Sequence, residues 1–121
     1  MKIYISHKRR SNFLEELYLP IKNSPLAKKH QFIFPHESDA HFDSKDAILN
    51  KKIDAIIAEV SFPATGQGIE LGWADTQNIP IICIFKTGSE IAGSLKTLTD
   101  NFIEYGDAKD LIEKLSREID A

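Results

Sequence analysis

Residues 55–77 read AIIAEVSFPATGQGIELGWADTQ, and this stretch decides the fold class. Ala55 to Val60 is apolar except for Glu59, as a central parallel strand covered on both faces should be. Pro63, Gly66 and Gly68 then predict a tight turn, and Ile69 to Gln77 a helix closed by Asn78 and Pro80. A short buried strand, a glycine-containing turn and an amphipathic helix form the repeating unit of an α/β sheet.

The same alternation extends in both directions. Upstream, Ile3 to Ser6 predicts a first strand, followed by a helix in which Phe13, Leu14, Leu17, Tyr18 and Ile21 recur at helical spacing. Pro20 is expected to end or kink that helix. Ser24 and Pro25 suggest an N-cap and first helical position for a brief extra turn, and Gln31 to Phe34 a second strand stopped by Pro35. A polar loop runs from His36 to Asp43, and Ser44 is positioned to cap a helix reaching about Lys52. Downstream, Ile81 to Phe85 and Phe102 to Tyr105 are the fourth and fifth strands, with a weaker helix over Ile91 to Leu98 between them. Asp107 should cap a last helix whose Leu111, Ile112, Leu115 and Ile119 form one stripe. The expectation is a doubly wound five-stranded parallel sheet with helices on both faces, in the flavodoxin-like, Rossmann-like order 2-1-3-4-5. Ligands of such sheets sit outside the carboxyl ends of the strands, beside the switch between strands 1 and 3.

Composition fits one globular domain spanning residues 1–121, with 42% hydrophobic and 27% charged residues. Fifteen basic against eighteen acidic residues leave a net charge of −3, which argues against a nucleic-acid polymer as partner. No apolar run approaches a membrane span, and MKIYISHKRR lacks the apolar core of a signal peptide. The single Cys83 lies in an apolar strand and is expected to be a core residue. A cytoplasmic location is expected. His36, Asp39, His41 and Asp43 lack a recognised ligand spacing, so neither metal nor cofactor is expected.

Chemistry concentrates around Glu70. With the helix beginning near Ile69, Glu70 falls in its first turn, where unpaired amides and the helix dipole favour negative charge. The amides of Gly66 and Gly68 are free to approach a ligand. A glutamate at a helix start is also a common stabilising choice. Glu59 is placed either in the ligand crevice or at a subunit contact.

The segment from Asp46 to Leu98 resembles the nucleoside 2-deoxyribosyltransferase superfamily, including its 2′-deoxynucleoside 5′-phosphate N-hydrolase branch. The resemblance rests on Asp46, DAIIAEV from Asp54, Pro63 and GQGIELGWA from Gly66, with weaker agreement at Tyr4, His36 and IPIICIF. It implies cleavage of the N-glycosidic bond of a nucleoside or nucleotide through a glutamyl-sugar intermediate, resolved by a second base or by water, in the manner of a retaining glycosidase. It implies that Glu70 is the nucleophile and that Tyr4 positions it. It places Asp46 near sugar and base, and His36 beside the leaving group. Ser94 lies near a family serine that reaches a neighbouring subunit's site, and a homodimer or larger assembly is implied. Substrate contacts are expected from Ser6, His7, Arg9, Arg10, Thr65, Gly66, Gly68, Trp73 and Ser94.

Two departures from the family pattern stand out. The monophosphate hydrolases have a serine six residues before the nucleophile, where this chain has Ala64 followed by Thr65. Their first strand ends in a glycine-rich turn, where this chain has His7, Lys8, Arg9 and Arg10. The opening IYISHKRRSNF also resembles a Toll/interleukin-receptor-type NAD-cleaving domain, although the GQGIELG spacing favours the first family. A non-catalytic nucleotide-binding or interaction module is the third alternative.

Overall fold

A computed structural model describes residues 1–120. Five parallel strands, β1 (Lys2–Ser6), β2 (Gln31–Ile33), β3 (Ala55–Glu59), β4 (Ile81–Lys86) and β5 (Phe102–Tyr105), form one sheet in the order β2-β1-β3-β4-β5. Strand order and class are those expected from the sequence.

Strand alternation divides the core in two. Ile3, Ile5, Ala55, Ile57, Ile82 and Ile84 face helices α1 (Leu19–Lys22), α2 (Leu26–Lys29) and α5 (Ala108–Ile119). Tyr4, Ile56, Ala58, Ile81 and Cys83 face α3 (Ser44–Leu49) and α4 (Thr65–Thr76). Each fully buried isoleucine contributes about 1.5–3 kcal/mol of hydrophobic stabilisation, which explains why the sheet interior is so rich in that residue. Leu111 and Leu115 are fully buried, and the side chain of Asp107 accepts from Asp110 N to cap α5. Asn78 ends the segment after α4 with a left-handed φ of 57°.

Several local expectations are corrected. Pro20 does not end its helix: a π-helical turn over Leu14–Tyr18 runs into α1, which holds Pro20 in its first turn. Proline has no N–H and crowds the carbonyl four residues back; the wider turn, with Leu19 N bonded to Leu14 O, relieves both problems. Leu14 is left 50% exposed rather than on the buried stripe. Ser24 does not cap α2; its hydroxyl donates to Ile21 O at 2.7 Å, and Pro25 holds the cap position. The cap of α3 is Asp43, which accepts from Asp46 N at 3.0 Å, and Ser44 is the first helical residue. The connection from β4 to β5 is a 3-10 turn over Gly93–Thr97 instead of an α-helix.

The correction that matters most for the site is the start of α4. The helix begins at Thr65, so Gly66 and Gly68 lie within its first turn, and Glu70 lies in the second. Only Gly88 among the described glycines has a left-handed φ. Gly66 and Gly68 have no left-handed φ, and a Cβ at either would meet nothing within 4 Å, so neither backbone conformation nor packing within the chain demands glycine there.

Candidate active site

Tyr4 and Ser6 are two residues apart on β1, so they project to the same side of the sheet. Parallel pairing sets Tyr4 against Ile56 and Ser6 against Ala58, which aims both hydroxyls at the face covered by α4. Glu70 on α4 meets them. The Tyr4 hydroxyl donates to Glu70 Oε2 at 2.6 Å, and Ser6 Oγ donates to Oε1 at 3.1 Å. Both donors are buried, with 1% exposure each. Burial and the neighbouring carboxylate push the Tyr4 phenol far above its ordinary range, so it remains a proton donor. The dipole argument for Glu70 gives way to this clamp, because the helix-end effect fades within the first turn.

Above the clamp lies an open cavity of about 550 Å³ at the carboxyl edge of the sheet, lined by Glu70 together with His7, Arg9, Arg10 and His36. Thr65, Gly66 and Trp73 of α4 complete that wall with Ala64 and Ser44. Arg9 and Arg10 are exposed at the rim. Trp73 is half-buried, and the Lys45 ammonium lies 5.9 Å from the centre of one of its rings. Burial and the nearby Arg9 cation hold His36 below the ordinary histidine range, against the pull of Glu70. Burial lowers His7 in the same way, opposed by its bond to the Lys8 carbonyl.

Four of the residues singled out in the sequence, Asp46, Gly68, Ser94 and Glu59, are not brought to this cavity. The carboxylate of Asp46 is bound by Asn50 Nδ2 at 2.6 Å and by Lys52 Nζ at 2.5 Å, and none of the three lines the cavity. Those two partners hold its pKa below the ordinary range. Gly68 and Ser94 line a separate hollow behind the start of α4, which Thr65 also borders. Glu59 points to the opposite face of the sheet. It accepts from Ser61 N at 2.6 Å and from the Tyr105 hydroxyl, and it borders a hollow of about 290 Å³ beside Leu17 and Lys86. Among the described residues no cluster of three potential metal ligands is present, and no helix is long and apolar enough to cross a membrane.

Ser44 and Tyr18 were missed as site residues. Ser44 reads in the sequence as a helix cap, yet it lines the cavity. Tyr18 sat in an apolar stripe whose spacing gives no hint that its hydroxyl bonds His7 Nε2 at 2.6 Å and His36 N at 3.1 Å.

No family model matches the chain. Two curated relatives, both provisionally named 2′-deoxynucleoside 5′-phosphate N-hydrolase 1, align with part of it. The protein from Syntrophotalea carbinolica is 35% identical over 54 residues, and that from Methanosarcina barkeri 33% identical over 61 residues. The resemblance to the nucleoside 2-deoxyribosyltransferase superfamily holds. These alignments take in 45% and 50% of this chain and 38% of each relative's length. Among solved structures, the CMP N-glycosidase BcmB of Clostridium botulinum superposes with a TM-score of 0.66 at 23% identity, covering 96% of this chain and 99% of that one. That similarity shows a shared fold along nearly the whole chain.

Proposed function

We propose that the protein cleaves the N-glycosidic bond of a nucleoside or nucleotide, with Glu70 as nucleophile. The observation that carries this reading is the Glu70 carboxylate, held by two buried hydroxyl donors at the floor of an open cavity. A nucleophile must meet the anomeric carbon in a fixed direction, and orientation of this kind accounts for a large part of enzymatic acceleration. The relatives' names and the fold of the glycosidase point to the same reaction class.

In this mechanism one Glu70 oxygen attacks C1′ while the C1′–N bond breaks and its electron pair leaves with the base. The developing oxocarbenium character is stabilised by the carboxylate, and a glutamyl-sugar ester results. His36, neutral because its pKa is depressed, donates an N–H hydrogen bond to the departing base. Water, or a second base, then attacks C1′ and frees Glu70. Water resolves the intermediate in an N-hydrolase and a base in a deoxyribosyltransferase. Trp73 in the cavity wall offers a flat ring suited to a nucleobase, with the Lys45 ammonium 5.9 Å from a ring centre. Asp46 joins the reaction only by leaving Asn50 and Lys52.

The test is release of free base from deoxynucleosides, ribonucleosides and their 5′-monophosphates, with NAD in parallel. Base release that vanishes in Glu70→Gln supports the proposal. Base release unchanged in that variant removes Glu70 as nucleophile, nicotinamide release alone favours the NAD-cleaving alternative, and nucleotide binding with no cleavage of any substrate favours the binding module. Asp46→Ala in the same assay decides whether the carboxylate leaves its helix partners during turnover.

A further inference from the structure

Tyr18 is 1% exposed and far from Glu70 in sequence, yet it touches both loops that carry the cavity's imidazoles. The hydrogens in this contact can be assigned one by one. His7 Nδ1 lies 2.8 Å from the carbonyl oxygen of Lys8. A carbonyl only accepts, so Nδ1 carries the proton. His7 is 6% exposed, and burial favours its neutral form, which leaves Nε2 as an acceptor. The Tyr18 hydroxyl, 2.6 Å away, must then donate to Nε2, and burial keeps it protonated by raising its pKa to about 12. Its oxygen has a lone pair left, which accepts the backbone N–H of His36 at 3.1 Å.

The result is one directed chain: His36 N–H to Tyr18 oxygen, Tyr18 O–H to His7 Nε2, His7 Nδ1–H to Lys8 oxygen. It connects the loop after β2, the π-helical turn before α1 and the loop after β1. Aromatic packing surrounds it. The His7 ring stacks on Phe13 at 4.3 Å and meets His36 edge-on at 5.2 Å, and Tyr18 packs against Phe34 at 4.7 Å. Every member of the chain has its partner, and reversing one bond would strand a donor or acceptor in a mostly apolar setting.

We propose that Tyr18 is a positioning residue for the Glu70 site: its hydroxyl orients the loop bearing His36 and fixes His7 as the Nδ1–H tautomer, so that both imidazoles are held in the wall of the cavity. The catalytic part of this inference rests on the function proposed above; the tautomer and the loop geometry do not. Free histidine prefers the Nε2–H form, so the assigned tautomer is a specific signature of the chain.

Two measurements test it. Nitrogen-15 NMR of the wild-type protein at pH 7.5 should show His7 protonated at Nδ1, and hydrogen exchange should show a protected His36 amide that loses protection in Tyr18→Phe. A wild-type Nε2–H tautomer overturns the proposal even if the variant were not to fold. In base-release assays Tyr18→Phe should lower kcat by about tenfold, the effect of one lost hydrogen bond with its partner left unpaired, with a much smaller change in KM. A folded Tyr18→Phe with wild-type kcat overturns the positioning role. If wild-type protein releases no base while the tautomer and amide protection are as stated, the proposed function fails and the hydrogen-bond chain stands.

Discussion

Tyr4 and Glu70 are 66 residues apart in the chain, and the tyrosine hydroxyl donates to the glutamate carboxylate across 2.6 Å. This contact exists because β1 lies beside β3 and α4 returns over the face to which Tyr4 points. It gives Glu70 a fixed orientation that its own helix position does not supply.

Removing either clamp donor should impair turnover more than it impairs folding. A hydrogen bond to a charged group is worth about 1.5–3 kcal/mol, so Tyr4→Phe should reduce kcat by roughly ten- to a hundredfold, and Ser6→Ala, with the longer bond, by less. Steady-state base release alongside a urea melt separates the two effects. Equal activity in Tyr4→Phe and wild type would show that the clamp does not orient the nucleophile.

The depressed pKa of His7 makes stability depend on pH in a defined direction. Between its folded value and the ordinary value of 6.5, the unfolded chain binds more protons, so stability rises with pH across that window. The contribution is complete above 6.5 and is lost as pH falls through the folded value. His36, shifted the same way and facing His7, adds the same sign. Urea midpoints should therefore drop from pH 7.5 to pH 5, and His7→Gln should show a smaller drop. A midpoint higher at pH 5 in wild type would contradict the assignment.

Cys83 is fully buried on the α4 side of the sheet, and burial pushes its thiol up to about 11. A buried thiol that resists ionisation is unreactive. An aromatic disulfide reagent at pH 8 should modify it only at the rate of unfolding, with full reaction in denaturant; rapid modification of native protein would show the strand to be open.

Recognition at the 5′ position should be weak. Ala64 lines the cavity without a hydroxyl, leaving Thr65 and the exposed Arg9 and Arg10 as candidates for a phosphate. Because a hydrogen bond to a charged group is worth about 1.5–3 kcal/mol, the ratio of kcat/KM for a monophosphate over its free nucleoside should stay below about a hundredfold. A thousandfold ratio would reveal a phosphate site, and Arg9→Ala and Arg10→Ala would show whether the loop after β1 supplies it.

Assembly is the remaining test. Phe62 and Ile69 flank the start of α4 and are each 50% exposed, and a homodimer would cover such residues. Light scattering at assay concentration should report a mass above the 13.6 kDa of one chain; a purely monomeric, fully active protein would contradict it.

By itself the sequence determined the class of fold and the order of its strands. Short continuous apolar runs mark strands covered on both faces and period-3.6 stripes mark helices, and right-handed crossovers leave few ways to arrange five such units. It also marked Glu70, through the glycine and glutamate spacing of residues 66–74. The partners of Glu70 and the path of the His36 loop were decided only by tertiary structure. Tyr18 occupies a position in an apolar stripe that a phenylalanine would fill equally well by periodicity, and only the packed loops give its hydroxyl two partners. Asp46 lies two residues beyond cavity-lining Ser44, yet the rotation of α3 and the reach of Lys52 and Asn50 turn its carboxylate elsewhere. Side-chain direction at a helix start depends on where the helix begins, and for both α3 and α4 that depended on backbone groups and packing that spacing alone does not encode.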